Sequence, residues 1–188
     1  MLLFAAMPAQ APGADAVLEE CIFRIAQGER EALETLYQQT RSSVYGFALS
    51  ILKNPQDAED VLHDTYLQVW NGASGYRSQG KAMAWLLSIV RNLAMDCFRR
   101  QSRMEPVEQP ELEVQLSRLP EITQEDRLTL AALLDMLDSQ ERQVITLHAL
   151  TGLKHREIAH LLHLPLSTVL SKYSRGIKKL KLAWKEAE

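Results

Sequence analysis

Cysteine is scarce in this chain of 188 residues, which contains two, Cys21 and Cys97. Each stands alone in an apolar helical pattern, without the paired spacing of a metal site. Disulfide frameworks need several cysteines and belong mostly to secreted proteins. The two cysteines therefore indicate reduced, buried thiols in a cytoplasmic protein, and they leave open whether either one senses redox state.

Long hydrophobic runs and an alternating polar pattern are also absent. No apolar run approaches the roughly 18 residues that cross a bilayer, so we expect no membrane insertion. The start of the chain lacks the Lys or Arg of a signal peptide, so we expect residues 1–14 to form a disordered tail. No segment alternates with a period of two for long enough to predict a sheet.

What the chain has instead is apolar residues at three- and four-residue spacing, which is the pattern of amphipathic helices. Residues 71–80, with three glycines and two serines, predict a loop. The pattern predicts an all-α fold with helices over residues 15–27, 29–53, 56–70, 81–103, 125–137, 139–149, 154–162 and 165–186.

An acidic, proline-containing stretch interrupts the helical pattern. From Met104 to Arg127 there are seven acids and two bases. Repulsion between like charges keeps such a segment extended, either as a solvated connector or threaded through a channel of a large partner. We therefore predict two small helical domains, residues 15–103 and 126–188, joined by a flexible acidic linker over residues 104–125.

The C-terminal segment, in contrast to the linker, is strongly basic. Between Arg142 and Lys185 there are nine Lys or Arg residues and one acid, although the whole chain has a formal net charge of −3. A local excess of positive charge on helices is the electrostatic footprint of a phosphate-binding surface. The second domain is therefore predicted to bind nucleic acid.

Two helices in this domain have the pattern of a helix-turn-helix. Residues 156–163 form a short amphipathic helix, Leu164 is an apolar turn residue, and Pro165 suits the first turn of the next helix. The second helix of such a motif lies in the major groove of DNA. Its polar face here carries Ser167, Thr168, Ser171, Lys172 and Arg175, opposite the apolar Val169, Tyr173 and Ile177.

These residues resemble a known family, the extracytoplasmic-function (group 4) sigma factors of bacterial RNA polymerase. Residues 137–147, 152–159 and 164–175 resemble region 4 of that family. Residues 57–70 are similar to its region 2.2, and residues 84–96 to its region 2.4 helix. The resemblance implies a sigma factor that binds core polymerase and directs initiation at minus-10 and minus-35 promoter elements. It also implies a protein that is not an enzyme and needs no cofactor.

The resemblance assigns two groups of residues in the first domain. In the family, the region 2.2 helix docks on the clamp coiled coil of the largest polymerase subunit. The matching outward residues here are Asp57, Asp60, Asp64 and Gln68. The alternative is that they form a plain solvated face of the helix.

In the family, the loop before region 2.4 and the adjoining helix capture a base flipped from the minus-10 element, which needs an aromatic and polar pocket. The matching residues are Tyr76, Arg91, Asn92, Arg99, Arg100 and Arg103. For Tyr76, a ring tucked against the bundle remains the alternative.

Region 4 of the family reads the minus-35 element. Contacts to this element, by position and by charge, are expected from Ser167, Thr168, Ser171, Lys172, Arg175, Lys178 and Lys179. Affinity that is independent of sequence is expected from Lys154 and Arg156, and also from Lys178 and Lys179. Leu170 stands where many members have a basic residue, which leaves the base preference open. Contact with a thymine methyl group, contact with a protein partner and a different promoter sequence are the alternatives for this position. The family also implies contact with the polymerase flap and control by an anti-sigma factor.

Two other interpretations compete with a sigma factor. His155, His160 and His163 cluster with His148, and Asp60-Val-Leu-His63 imitates half of a di-carboxylate metal site. The full carboxylate set of a di-iron bundle, a P-loop and a nucleophile elbow do not accompany them, so we predict no metal site. A conventional helix-turn-helix activator or repressor, acting without core polymerase, would explain the basic domain. It would not explain the acidic helix, the glycine-rich loop and the basic helix of the first domain.

Overall fold

The structure is a computed structural model that describes residues 14–101 and 135–187. The expected linker, Arg103, and most of the expected tail and of the helix predicted over residues 125–137 lie outside these ranges. The helices are α1 (Ala14–Ala26), α2 (Arg30–Leu52), α3 (Pro55–Gly72), α4 (Ala82–Gln101), α5 (Ser139–Thr151), α6 (His155–Leu162) and α7 (Leu166–Ala187). A 3-10 turn, Ala73–Gly75, precedes the loop that leads to α4. The described ranges contain no strand, which confirms the all-α prediction.

The junction between α2 and α3 is defined by three consecutive residues. Lys53 ends α2 in the left-handed conformation, with φ at 54°. The Asn54 side chain accepts a hydrogen bond from Gln56 N at 2.9 Å, and Pro55 is the first residue of α3. Asparagine is a favoured N-cap residue. Proline suits the first helical position because it lacks the amide hydrogen that would have no acceptor there. The two helices therefore meet at a fixed turn.

Helices α1 to α4 enclose the core of the first domain. Phe47, Ile22 and Leu86 are each at most 1% exposed. Inside this bundle the hydroxyl groups of Thr40 and Tyr66 lie 2.7 Å apart in a hydrogen bond, so the polar atoms of α2 and α3 satisfy each other. The packing holds the loop after α3 and the first turns of α4 against α1.

The second domain is built on α5, α6 and α7. Asp138 and Glu141 form a capping box at the start of α5, and Gly152 ends this helix in the left-handed conformation at φ 65°. The two domains pack together, because α5 lies against α2 and one apolar cluster continues from Phe47 to Leu147 and Val169. None of the described helices is long and apolar enough to cross a membrane.

Candidate nucleic-acid interface

A cleft of 630 Å³ lies between the loop after α3, the exposed side of α4 and helix α6. Tyr76, Arg91 and Asn92, three of the residues assigned to the minus-10 surface, all line this cleft. Trp85 lines it as well. The cleft therefore combines two aromatic rings, an amide and a guanidinium, which are the groups that stack on a base and bond its edges.

Tyr76 both lines the cleft and packs against the bundle. Its ring centroid lies 4.8 Å from that of Trp85, with the planes inclined by 53°. Its hydroxyl donates to Glu19 Oε1 at 2.8 Å. Burial and the neighbouring Glu19 carboxylate raise the pKa of Tyr76 to about 12, so its hydroxyl stays protonated at neutral pH. In this one position, Tyr76 therefore packs against the bundle and also lines the cleft.

Two acids of α1 hold the loop and the start of α4. Glu19 Oε1 also accepts from Gln79 N at 3.0 Å and from Gly80 N at 2.8 Å. Asp15 Oδ1 accepts from Met83 N at 2.9 Å, which gives one of the first amides of α4 an acceptor. Neither acid was singled out from the sequence, because a carboxylate on the polar face of an amphipathic helix has no local signal of a distant partner.

Arg99 and Arg100 extend the basic side of α4 beyond the cleft. Both side chains are exposed, eight and nine residues after Arg91, which is about 12 Å along a helix axis. Arg99 lies 3.1 Å from Asp96 in an ion pair whose two side chains are more than half exposed. Such an exposed pair is weak, and it does not prevent contact with a phosphate.

Helices α6 and α7 form a helix-turn-helix with a well-bonded turn. His163 takes the left-handed conformation at φ 54°, and Leu164 N donates to Ala159 O at 3.0 Å. Ile158 and Val169 are fully buried between the helices. The small side chain of Ala159 lies in the same contact and is 8% exposed. The sequence prediction of this motif is therefore confirmed in its turn and its core.

The outer face of α7 is polar and open. Ser167, Ser171, Arg175 and Lys178 are exposed, and Thr168 is half-buried. Leu170 lies among them and is 47% exposed. An exposed leucine on this face suits contact with a thymine methyl group better than contact with a phosphate.

Two of the lysines assigned to this face have partners within the domain. Lys172 Nζ lies 2.7 Å from Asp138 Oδ2, and Lys179 Nζ lies 2.7 Å from the buried Glu141. Burial alone would raise the pKa of Asp138, but hydrogen bonds from Lys172 and from Glu141 N hold it below its usual value. Both lysines therefore attach α7 to the capped start of α5.

The acidic side of α3 carries an exposed leucine. Asp60, Asp64 and Gln68 are exposed at four-residue spacing, and Asp57 is half-buried. Leu67, 62% exposed, lies beside Asp64 and Gln68 in a shallow depression. A leucine on the solvent side of a helix breaks the amphipathic pattern, and this break is the signal by which the sequence could have indicated it.

Two histidines of the second domain form ring contacts, and the described residues contain no group of three metal-ligand side chains. His148 and His155 stack with centroids 4.8 Å apart, and both meet the ring of Tyr173 edge-on. The cysteines are free thiols, and burial raises the pKa of both Cys21 and Cys97. Reactive thiolates are therefore disfavoured at both positions.

Comparison with known proteins matches both halves of the chain. The model of Sigma-70 region 2 matches residues 36–104, and that of Sigma-70 region 4 matches residues 127–180. The ECF RNA polymerase sigma factor SigK of Mycolicibacterium vanbaalenii is 33% identical, over 92% of each chain. SigK of Mycobacterium ulcerans is 30% identical, over 90% of this chain and 95% of its own.

Solved structures show the same fold. A co-crystal structure of the sigma factor RpoE with the anti-sigma factor NepR from Bartonella quintana matches with a TM-score of 0.68 at 21% identity, over 81% of this chain and 96% of that one. The structure of CnrH with the cytosolic domain of CnrY matches with a TM-score of 0.62 at 24% identity, over 92% and 99%.

Proposed function

Because this chain belongs to the extracytoplasmic-function group of the sigma-70 family, we propose that it reads two promoter elements for core RNA polymerase with two separate surfaces. The cleft between the loop and α4 would capture a flipped base of the minus-10 element. The outer face of α7 would lie in the major groove at the minus-35 element. The observation that carries this proposal is that Tyr76, Arg91 and Asn92 meet Trp85 in one cleft.

The chemistry of the cleft supports capture of a single base. A flipped base is recognised by stacking on aromatic rings and by hydrogen bonds to its edge. Trp85 and Tyr76 offer the rings, and Asn92 offers both a donor and an acceptor. Arg91 in the cleft, with the exposed Arg99 and Arg100 further along α4, would neutralise the phosphates of the strand.

On the second surface, exposure divides the assigned residues into two groups. Ser167, Ser171 and Arg175 are exposed and would contact bases or phosphates, with Lys178 adding sequence-independent affinity. Lys172 and Lys179, which are paired with acids of their own domain, would contribute less to DNA binding than to stability. Leu170 would prefer a thymine over a guanine at the base it meets.

The docking surface for polymerase would be the exposed side of α3. Asp60, Asp64 and Gln68 would face basic residues of the clamp coiled coil, and Leu67 would supply the apolar centre of the contact. Interfaces need such a desolvated apolar centre within a polar rim. With these partners, the site of action would be the cytoplasm. The solved structure of RpoE is a complex with the anti-sigma factor NepR. An anti-sigma factor would control this protein by covering the proposed surfaces.

Run-off transcription tests the proposal. Core polymerase from the same organism is mixed with short genomic DNA fragments, with and without this protein, and the 5′ ends of the transcripts are mapped. We expect transcripts that depend on the protein and share two upstream motifs. A protein that yields no such transcripts, but footprints a DNA site without polymerase, would instead be the conventional helix-turn-helix regulator.

A further inference from the structure

Glu19 connects α1 to the loop that forms one wall of the cleft. Its Oε1 atom accepts three hydrogen bonds, from the Tyr76 hydroxyl and from the backbone amides of Gln79 and Gly80. These donors span the loop from the end of the 3-10 turn to the start of α4. One acid from a different helix therefore fixes both ends of the loop.

Packing does little to hold the loop in place, because most of its residues are exposed. Residues 77–81 are all exposed, and Gly80 takes the left-handed conformation at φ 65°. Such segments open easily unless hydrogen bonds hold them. Bonds to a charged acceptor are about twice as strong as neutral ones, so Glu19 suits this task. Donation from the side chains of Tyr76 and Ser78 lowers the pKa of Glu19, which keeps the carboxylate charged at neutral pH.

The hydrogen bond to Glu19 also orients the ring of Tyr76. Its hydroxyl points to α1, while its ring contacts Trp85 and lines the cleft. With the hydroxyl held, the ring cannot swing away from the cleft without losing the bond. A binding site that selects one base needs its rings and donors held in place before the base arrives.

From this geometry we propose that Glu19 is a positioning residue for base capture, holding Tyr76 and the loop in the arrangement that selects one base of the minus-10 element. The inference rests on the proposed function, because it assumes that the cleft receives a flipped base. Glu19 itself touches the loop and not the DNA. Its removal should therefore change which base is accepted more than it changes affinity for polymerase.

The test compares Glu19→Gln with Glu20→Gln, which removes the charge of the neighbouring, exposed acid of the same helix. Each protein is combined with core polymerase on a set of templates in which every base of the minus-10 element is replaced in turn. Two quantities are measured: the affinity for core polymerase, and the ratio of transcript from the preferred base to transcript from each other base.

For Glu19→Gln, whose amide oxygen can still accept these bonds but carries no charge, we expect core affinity within about twofold of the wild type. Discrimination at one minus-10 position should fall about tenfold, because three charged hydrogen bonds become weaker, neutral ones. Glu20→Gln should match the wild type. Tyr76→Phe, which keeps the ring and removes the hydroxyl, should lose discrimination at the same position. Combining it with Glu19→Gln should add little to that loss.

Two results would overturn the inference. If Glu19→Gln lowers transcription equally on all templates, the residue only stabilises the domain. The variant protein should then also unfold at a lower temperature than the wild type. If the double variant loses the product of the two single losses, Glu19 and Tyr76 act independently. A wild-type protein that initiates nothing with core polymerase would overturn the proposed function itself, and this inference with it.

Discussion

Ser43 of α2 donates a hydrogen bond from its hydroxyl to the carbonyl oxygen of Leu150, at the end of α5, over 3.0 Å. The two residues are 107 positions apart and belong to different domains. One turn further along α2, Gly46 faces the Leu150 side chain, and a Cβ atom at Gly46 would overlap Leu150 Cδ1. The contact therefore depends on a residue without a side chain at this place on α2.

With the two domains packed in this way, the molecule is shorter than the distance between a minus-10 and a minus-35 element. Elements centred ten and thirty-five base pairs upstream lie roughly 85 Å apart on straight B-form DNA, at 3.4 Å per base pair. A compact chain of this length has a radius of gyration near 16 Å, by the usual scaling for folded domains. On the proposed function, the domains would have to separate at the α2–α5 contact for both proposed surfaces to reach DNA at once. Opening would also remove α6, with His160 and His163, from the wall of the cleft.

Gly46→Leu should open the contact between the domains. The new side chain overlaps Leu150, while the buried residues of α2 stay packed in their own bundle. We expect a larger radius of gyration in small-angle X-ray scattering, by several ångströms on the 16 Å scale of a compact chain. Gly72→Ala is the matched control, because a Cβ atom there meets nothing within 4 Å. Equal radii for the two variants would contradict the closed arrangement.

Asp60→Arg should weaken binding to core polymerase without unfolding the protein. Asp60 is exposed on the side of α3 that carries Leu67, so reversal of its charge would place a cation against the proposed basic partner. We expect a loss of affinity of at least about tenfold, which corresponds to about 1.4 kcal/mol. Native gels with purified core polymerase measure it. Glu34→Arg, at an exposed acid of α2, is the control; if it weakens binding equally, net charge and not the α3 surface is responsible.

Lys172→Met and Arg175→Ala should separate stability from DNA binding on the same helix. Lys172 is paired with the N-cap residue Asp138 and its side chain is 16% exposed, so its loss should lower the free energy of unfolding by about 0.5–1 kcal/mol. Arg175 is exposed, so its loss should leave stability unchanged and cost about 1–3 kcal/mol of promoter binding. Chemical denaturation and holoenzyme binding to promoter DNA measure the two effects. The opposite pattern would assign the DNA contact to Lys172.

Local signals in the sequence predicted the helices closely. Residues 29–53 were expected to form one helix, and α2 spans Arg30–Leu52. The prediction succeeds because Gly28 and the Asn54-Pro55 pair act on their immediate neighbours. The helix-turn-helix was predictable for the same reason, since its turn and its buried face lie within about twenty residues.

The contacts that shape the candidate sites were not predictable in this way. Glu19 and Gly80 are 61 positions apart, and Lys172 and Asp138 are 34 apart. The chain has 24 acidic residues, and periodicity does not say which of them will meet a given loop or lysine. Such pairings are set by how the helices pack, so they follow from the fold and not from the pattern that predicts it.

Acidification should weaken the second domain through His155. Burial, and then the neighbouring His148, lower the pKa of His155, and its Nε2 atom is buried without a hydrogen-bond partner among the described residues. The unfolded chain then binds a proton near pH 6.5 that the folded chain resists. The free energy of unfolding is therefore at its full value above this pH and falls below it.

His155→Phe keeps an aromatic ring beside His148 and Tyr173 but cannot be protonated. Its denaturation midpoint should fall less between pH 7.5 and 5.5 than that of the wild type. His63→Gln, at an exposed histidine of α3, should behave as the wild type does; a His155→Phe profile as steep as the wild type would assign the pH dependence to another group.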